Sequence, residues 1–153
     1  MKKKLMFVAG TGGHLSEILK LESLFNDYVI VTEKTKTSIE NLKGYNVEYL
    51  KYGSRYYFLK YIFVFILNVI LSIKLVLKYR PKIIITTGPS IGGIMGIIGK
   101  CIGSKFIYIE SLAKVNTLSI TGKTSYRFAD KFYVQWEDLC EKYEKAEYIG
   151  RLI

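Results

Sequence analysis

The string Gly10-Thr11-Gly12-Gly13-His14 follows a continuous apolar run and opens a stretch whose apolar residues recur at helical spacing. Glycines let a backbone turn tightly and approach a ligand closely, and a helix N-terminus offers unpaired N–H groups to an anion. The string therefore predicts a phosphate-bearing ligand at the start of the first helix. A second string, Gly88-Pro89-Ser90-Ile91-Gly92-Gly93, also stands between a β-branched run and a helix. Two such turns at the carboxyl ends of parallel strands would face one crevice. Taken alone, the second string reads equally well as a tight strand-to-helix turn.

His14 is the only histidine. At the first helical turn it would bond locally, contact a phosphate, or accept a proton, since imidazole titrates near neutrality. Glu110 is the first acid after a long acid-free stretch and closes a strand at the same edge of the sheet. It would orient an acceptor hydroxyl or act as a base; as a structural residue it would cap a helix or form a salt bridge. Other chemistries fail on the spelling. A dinucleotide fingerprint needs a third glycine where Leu15 stands, although Glu33 sits where a ribose-binding acid would. Ile120-Thr121-Gly122-Lys123-Thr124 imitates the end of a P-loop, but Thr117 replaces its earlier glycine and no apolar strand leads into it. No Asp-x-Asp pair is present, so neither a metal nor a cofactor is expected on this chain.

The elements that must position these residues follow from periodicity. Residues 5–9 read as a strand buried on both faces, and 14–25 as an amphipathic helix. Strands are expected at 28–32, 46–50, 82–87, 105–109 and 131–135, with helices at 55–79, 91–101 and 121–129; Pro81 stops the long one. Strands alternating with helices predict a parallel sheet with right-handed crossovers and helices on both faces. At 153 residues, without repeat or linker, residues 1–153 are expected to form a single Rossmann-like α/β domain.

Charge sharpens the reading. Lys and Arg number 23 against 13 Asp and Glu, and no acid lies between Glu48 and Glu110. That span holds the most apolar run, residues 57–77, interrupted by Lys60, Asn68, Ser72 and Lys74. At about 100° per residue these polar positions and Lys78 fall on one broad side of a helix. The rest carries residues such as Phe58, Tyr61, Ile62, Phe65, Ile66 and Val76. A Lys at a bilayer centre costs roughly 2.5–3.5 kcal/mol, so an in-plane helix with snorkelling lysines is expected before a span. Lys60, Tyr61, Phe65, Lys74 and Lys78 are the expected membrane contacts, and the tyrosines from Tyr45 to Tyr61 suit an interfacial belt. Burial of that helix against the sheet is the alternative. Basic charge interleaved with aliphatic runs favours an anionic membrane over nucleic acid. Cys101 and Cys140 have no metal or disulfide spacing, which fits a reduced compartment. Lys2-Lys3-Lys4 before residues 5–9 imitates a secretion signal with too short an apolar core.

With these pieces placed, the sequence resembles a known family. It is similar to the membrane-anchoring subunit of the two-subunit N-acetylglucosaminyltransferase acting on lipid-linked sugars, and to bacterial capsule and exopolysaccharide homologues. The matching segments, spread over nearly the whole chain, are Gly10 to His14 with Glu17, Thr87-Gly88-Pro89-Ser90, Ile109-Glu110-Ser111, the 118–123 string, Ala129-Asp130 and Val134-Gln135-Trp136. The glycine strings and Glu110 more distantly resemble the N-terminal half of the peptidoglycan N-acetylglucosaminyltransferase, a GT-B enzyme. The resemblance implies the acceptor-side half of a GT-B fold. Gly10, Thr11, Gly12, Gly13, Gly88, Ser90, Gly92 and Gly93 would cradle the diphosphate of a polyprenyl-linked acceptor. A separate sugar-nucleotide-binding subunit would bring the UDP-sugar, and this chain would be inactive without it. The 55–79 helix would hold the pair at the cytoplasmic face of the cell membrane. Trp136, Leu152 and Ile153 would dock the partner. Glu137 stands where relatives often have Pro, which leaves the start of the last helix open. A stand-alone nucleotide- or dinucleotide-binding module is the alternative.

Overall fold

A computed structural model describes residues 5–54, 56–88 and 90–152; Ile153, the Ser90 side chain and Pro89 fall outside what is described, as do Arg55 and residues 1–4. Leu5–Val8 (β1) is buried at every position. Its alternate side chains serve opposite layers: Leu5 and Phe7 pack with Leu15 and Ile18, whereas Met6 and Val8 pack with Val76 and Met95. A strand buried on both faces must be apolar throughout, which is why this run is continuous rather than alternating.

In chain order, β1 is followed by Gly13–Leu19 (α1), Tyr28–Glu33 (β2), Lys36–Asn41 (α2), Val47–Leu50 (β3) and Phe58–Tyr79 (α3). Then come Ile83–Thr86 (β4), Ser90–Cys101 (α4), Lys105–Ile109 (β5), Ile120–Phe128 (α5), Lys131–Val134 (β6), Asp138–Lys142 (α6) and Ala146–Tyr148 (β7). The strands form one seven-stranded sheet in the order β3-β2-β1-β4-β5-β6-β7. Every neighbouring pair is parallel. The strand order reverses between β1 and β4, the place where open α/β sheets leave a crevice. Both glycine strings leave the sheet there.

Several expectations are corrected. The helix expected over 14–25 ends at Leu19, and Glu22–Leu24 forms a separate 3-10 turn. Tight bonds from the Lys20 amide to Glu17 and from Leu21 to Ile18 close α1, and Leu21 and Phe25 then both reach the cluster around Phe7. Helix α2 was not expected. It is held by a capping box in which the Ser38 amide donates to Thr35 Oγ1 at 3.0 Å and the Thr35 amide to Ser38 Oγ at 2.9 Å. Strand β7 extends the sheet past what was expected to be its last strand.

Helix α3 ends at Arg80, whose φ of 43° places it in the left-handed conformation ahead of Pro81. It is the one helix among the described residues long and apolar enough to cross a membrane, yet only 22% of its most apolar stretch is buried. Its polar residues do not share a side. Asn68 and Ser72 face the sheet with Val76 and Tyr79, while Lys60 and Lys74 face out. The inward side is polar because it has backbone to satisfy: Asn68 accepts from the Lys51 amide at 2.9 Å and donates to the Lys51 carbonyl at 2.8 Å. Lys78, half exposed, pairs with Glu48 at 2.6 Å. The exposed apolar stripe is Leu59, Ile62, Phe63, Ile66, Ile70 and Leu77.

Candidate functional site

After β1 the chain leaves the sheet at Ala9, whose amide still donates to Val31 O. The Gly10 amide then donates to Gly88 O at 3.1 Å, and Thr87 Oγ1 donates to His14 O at 2.8 Å. The two glycine turns are thus bonded directly to each other. Gly12 precedes α1 with φ 75° and ψ −136°, a conformation that side chains with a Cβ rarely adopt. A Cβ on Gly12 or Gly13 would meet no heavy atom within 4 Å. Among the described residues, nothing accepts from the Thr11, Gly12 and Gly13 amides, as expected for the donors at a helix start. His14 leans over the second turn: its Cε1 lies 3.7 Å from where a Gly88 Cβ would stand. Its Nδ1 is buried without a hydrogen-bond partner among the described residues.

The second turn is built differently. Gly88 has φ 86° and donates its amide to Thr86 Oγ1. Gly92 and Gly93 are buried in α4. A Cβ on Gly92 would stand 2.0 Å from Thr86 Oγ1, and one on Gly93 would stand 2.7 Å from Thr121 Cγ2. Gly96 and Gly99 face Phe106 and Ile84 in the same way. These glycines let α4 lie close on the sheet and on α5. Gly92 and Gly93, expected to cradle a ligand, thus stand where packing already requires a glycine, and Gly92 also lines the cleft.

Glu110 is 1% exposed. Its Oε1 accepts from the Ser111 amide at 2.9 Å, and its Oε2 accepts from the Ser119 amide at 2.9 Å and from Ser119 Oγ at 3.1 Å. Ser119 Oγ in turn accepts from the Gly122 amide at the head of α5. Both carboxylate oxygens are engaged in holding the 111–119 loop, whose Ser119 is the N-cap of α5. A Cβ on Gly122 would fall 1.9 Å from Glu110 Oε2, so that glycine serves this packing rather than a P-loop. Tyr108 lies beneath with its hydroxyl 3.3 Å from Ser119 Oγ; burial pushes its phenol far above the usual range, so it keeps its proton.

Glu17, to which the sequence alone gives no role, is a buried carboxylate on α1 that accepts from the Leu112 amide at 3.3 Å. Burial raises its pKa above the ordinary value, against the lowering pull of that amide and of His14. Trp136 Nε1 grips the same residue through Leu112 O at 2.7 Å, and the Arg151 guanidinium covers the Trp136 ring at 4.1 Å. Leu152 donates its amide to Gln135 Oε1 and packs in the chain's own core. Trp136 and Leu152, expected to dock the partner, are thus each held within the chain while staying half-buried; Ile153 lies outside the described residues.

A cleft of about 360 Å³ opens at the ends of β1, β2 and β3. It runs from Gly10 and Gly92 to Tyr61, Phe65 and Asn68 on the inner side of α3. Tyr61 and Phe65, expected at the membrane, are half-buried and line this cleft. Glu33 lines it too, as the half-buried last residue of β2. Sequence reasoning missed the cleft wall because Tyr52, Val64 and Phe65 look like any other members of an apolar helix and its approach. Among the described residues no three His, Cys, Asp or Glu side chains cluster as a metal site would require.

A parallel sheet of this order, with glycine turns at its reversal, is a Rossmann-like domain of the kind found in the N-terminal half of GT-B glycosyltransferases. The Acinetobacter baumannii MurG structure matches 89% of this chain with a TM-score of 0.70 at 15% identity, and the match covers 42% of MurG. A UDP-GlcNAc 2-epimerase from Methanocaldococcus jannaschii matches 99% of the chain at TM-score 0.64 and 15% identity, over 46% of its length. The chain thus spans less than half of either, and fold alone does not select a reaction. Sequence does more. The family described as "Oligosaccharide biosynthesis protein Alg14 like" matches residues 5–152, and the chain belongs to it. The mouse protein named UDP-N-acetylglucosamine transferase subunit ALG14 is 32% identical over 98% of this chain and 83% of its own length. The Yarrowia lipolytica protein of the same name is also 32% identical, over 98% of this chain and 81% of its own.

Proposed function

We propose that this protein is the acceptor-binding, membrane-associated subunit of a UDP-sugar-dependent glycosyltransferase in capsule or exopolysaccharide synthesis. It binds a polyprenyl-diphosphate-linked acceptor and anchors a separate catalytic subunit that holds the sugar nucleotide. The observation that carries this reading is the coverage: the chain aligns with most of a protein named a transferase subunit, but with less than half of MurG. The open site also suits it. The amides of residues 11–13 are unspent at the exposed head of α1, directly after Gly10 of the cleft and with His14 following them, and a diphosphate supplies oxygens that such donors bind.

The membrane role rests on α3, whose outward side carries the apolar stripe with Lys60 and Lys74 exposed beside it. Its inward side is fastened by Asn68 to Lys51 and by Lys78 and Tyr79 to Glu48. A span would break those bonds, which supports an in-plane helix on the cytoplasmic leaflet over a spanning one. Sugar transfer to a polyprenyl-diphosphate acceptor, reconstituted with this chain and its partner together and apart, tests the whole. Transfer is expected only from the pair; robust transfer by this chain alone refutes the accessory role. Tight binding of NAD in a parallel titration would establish instead a stand-alone dinucleotide module.

A further inference from the structure

The cleft beside Gly10 does not stop at the glycine turn. It continues behind the first half of α3, where Val8, Leu50, Val64, Phe65 and Ile91 wall it. We propose that this space takes the first isoprene units of the acceptor's polyprenyl chain. On this view α3 has two lipid contacts, one on its outer stripe and one on its inner side. The inference rests on the acceptor reading above and adds where the lipid leaves the bilayer.

The occupant follows from what the wall still offers. Asn68 spends both ends of its amide on Lys51, and Ser54 Oγ accepts from the Tyr56 amide at 3.4 Å. Glu33 has an interaction of its own. What remains is mostly aliphatic and aromatic surface, including Tyr61 and Phe65 with rings stacked at 6.4 Å, and such a wall recognises an apolar chain. The route is also visible. A second hollow of about 230 Å³ shares Tyr61 and Val64 with the cleft and runs on to Tyr57 and Lys60 at the start of α3. Tyr57 is 69% exposed there, next to Leu59 at 82%. An entering chain would pass from the lipid-facing stripe, between these tyrosines, to a diphosphate held at residues 10–13. Tyrosine, with an apolar ring and a polar tip, suits such a boundary.

The test compares inorganic diphosphate, isopentenyl diphosphate, geranyl diphosphate and farnesyl diphosphate as probes of the full chain by titration calorimetry. Affinity is expected to rise with each isoprene unit, with farnesyl diphosphate at least about tenfold tighter than inorganic diphosphate. Val64→Trp, which fills the space, is expected to bring farnesyl diphosphate down to the level of inorganic diphosphate while leaving the latter and vesicle binding unchanged. Should Val64→Trp misfold, the less bulky Val64→Phe takes its place with the same expected outcome. Equal affinity for every probe overturns the prenyl site and leaves the acceptor reading standing. A tail increment that survives in well-folded Val64→Trp places the chain elsewhere and also overturns it. Failure to bind any diphosphate overturns the acceptor reading itself.

Discussion

The two glycine turns look alike as sequence and differ as structure. At the first, Gly12 and Gly13 are exposed, a Cβ would meet nothing, and the backbone donors are unspent. At the second, Gly92 and Gly93 are buried, and a Cβ would land on Thr86 or on Thr121 and Ser125. One turn leaves its glycines open to the outside. The other keeps them so that a helix can lie against its own sheet. A glycine-rich string at a strand end therefore reports close approach without saying whether the visitor is a ligand or the protein.

The comparison is most exposed at Gly92. Gly92→Val would drive its side chain into Thr86, whose hydroxyl also holds the Gly88 amide. Overpacking of this kind costs up to about 3 kcal/mol. Thermal denaturation should show the melting temperature falling by several degrees, at roughly 2–4 °C per kcal/mol. An unchanged melting point would mean that the second turn is not a packing device. Next comes Glu110→Gln, which leaves one oxygen to serve donors that now use two; a loss of about 2 kcal/mol is expected from the strained cap. If transfer by the reconstituted pair vanished while stability held, Glu110 would belong to the chemistry after all.

At the first turn the pattern reverses. Gly12→Val should cost about 1–2 kcal/mol, from its positive φ alone, yet abolish diphosphate binding and leave partner binding intact. Gly13→Ala, with an ordinary φ and open space, should keep stability within about 0.5 kcal/mol while weakening diphosphate binding. Loss of partner binding in either variant would mean that the first turn also serves the fold. The smallest effect concerns Glu17, which ties α1 to the loop after β5. Its pKa is raised in the folded protein, so the folded state holds the proton longer than the unfolded one. Stability should therefore decline as pH rises from the ordinary glutamate value to the raised one, and denaturant titrations of Glu17→Gln should lack that decline.

Much of the fold was legible because a parallel sheet writes its strands as unbroken apolar runs; β1, β4 and β5 could be placed almost to the residue. Helix α2 was not, since its box closes through Ser38 where a Glu or Gln is the usual sign. Strand β7 is three residues long with Glu147 and Tyr148 exposed, too little to show a period. The first glycine turn was readable from local order alone. The role of Glu110 was not, because one of its partners, Ser119, stands nine residues away across a loop. For Gly92 and Gly93 a signal was present: with Gly96 and Gly99 they recur at helical spacing, the mark of a helix pressed against something. Asn68 and Ser72 misled because polarity along a helix was equated with water, when these side chains answer to backbone.

The clasp between Asn68 and Lys51 stitches the middle of the long helix to the end of an edge strand. A helix fastened there by two hydrogen bonds resists swinging and sliding, so the gap beneath it acts as a gauge more than as an adjustable jaw. Whatever enters is measured by a width that folding has already set.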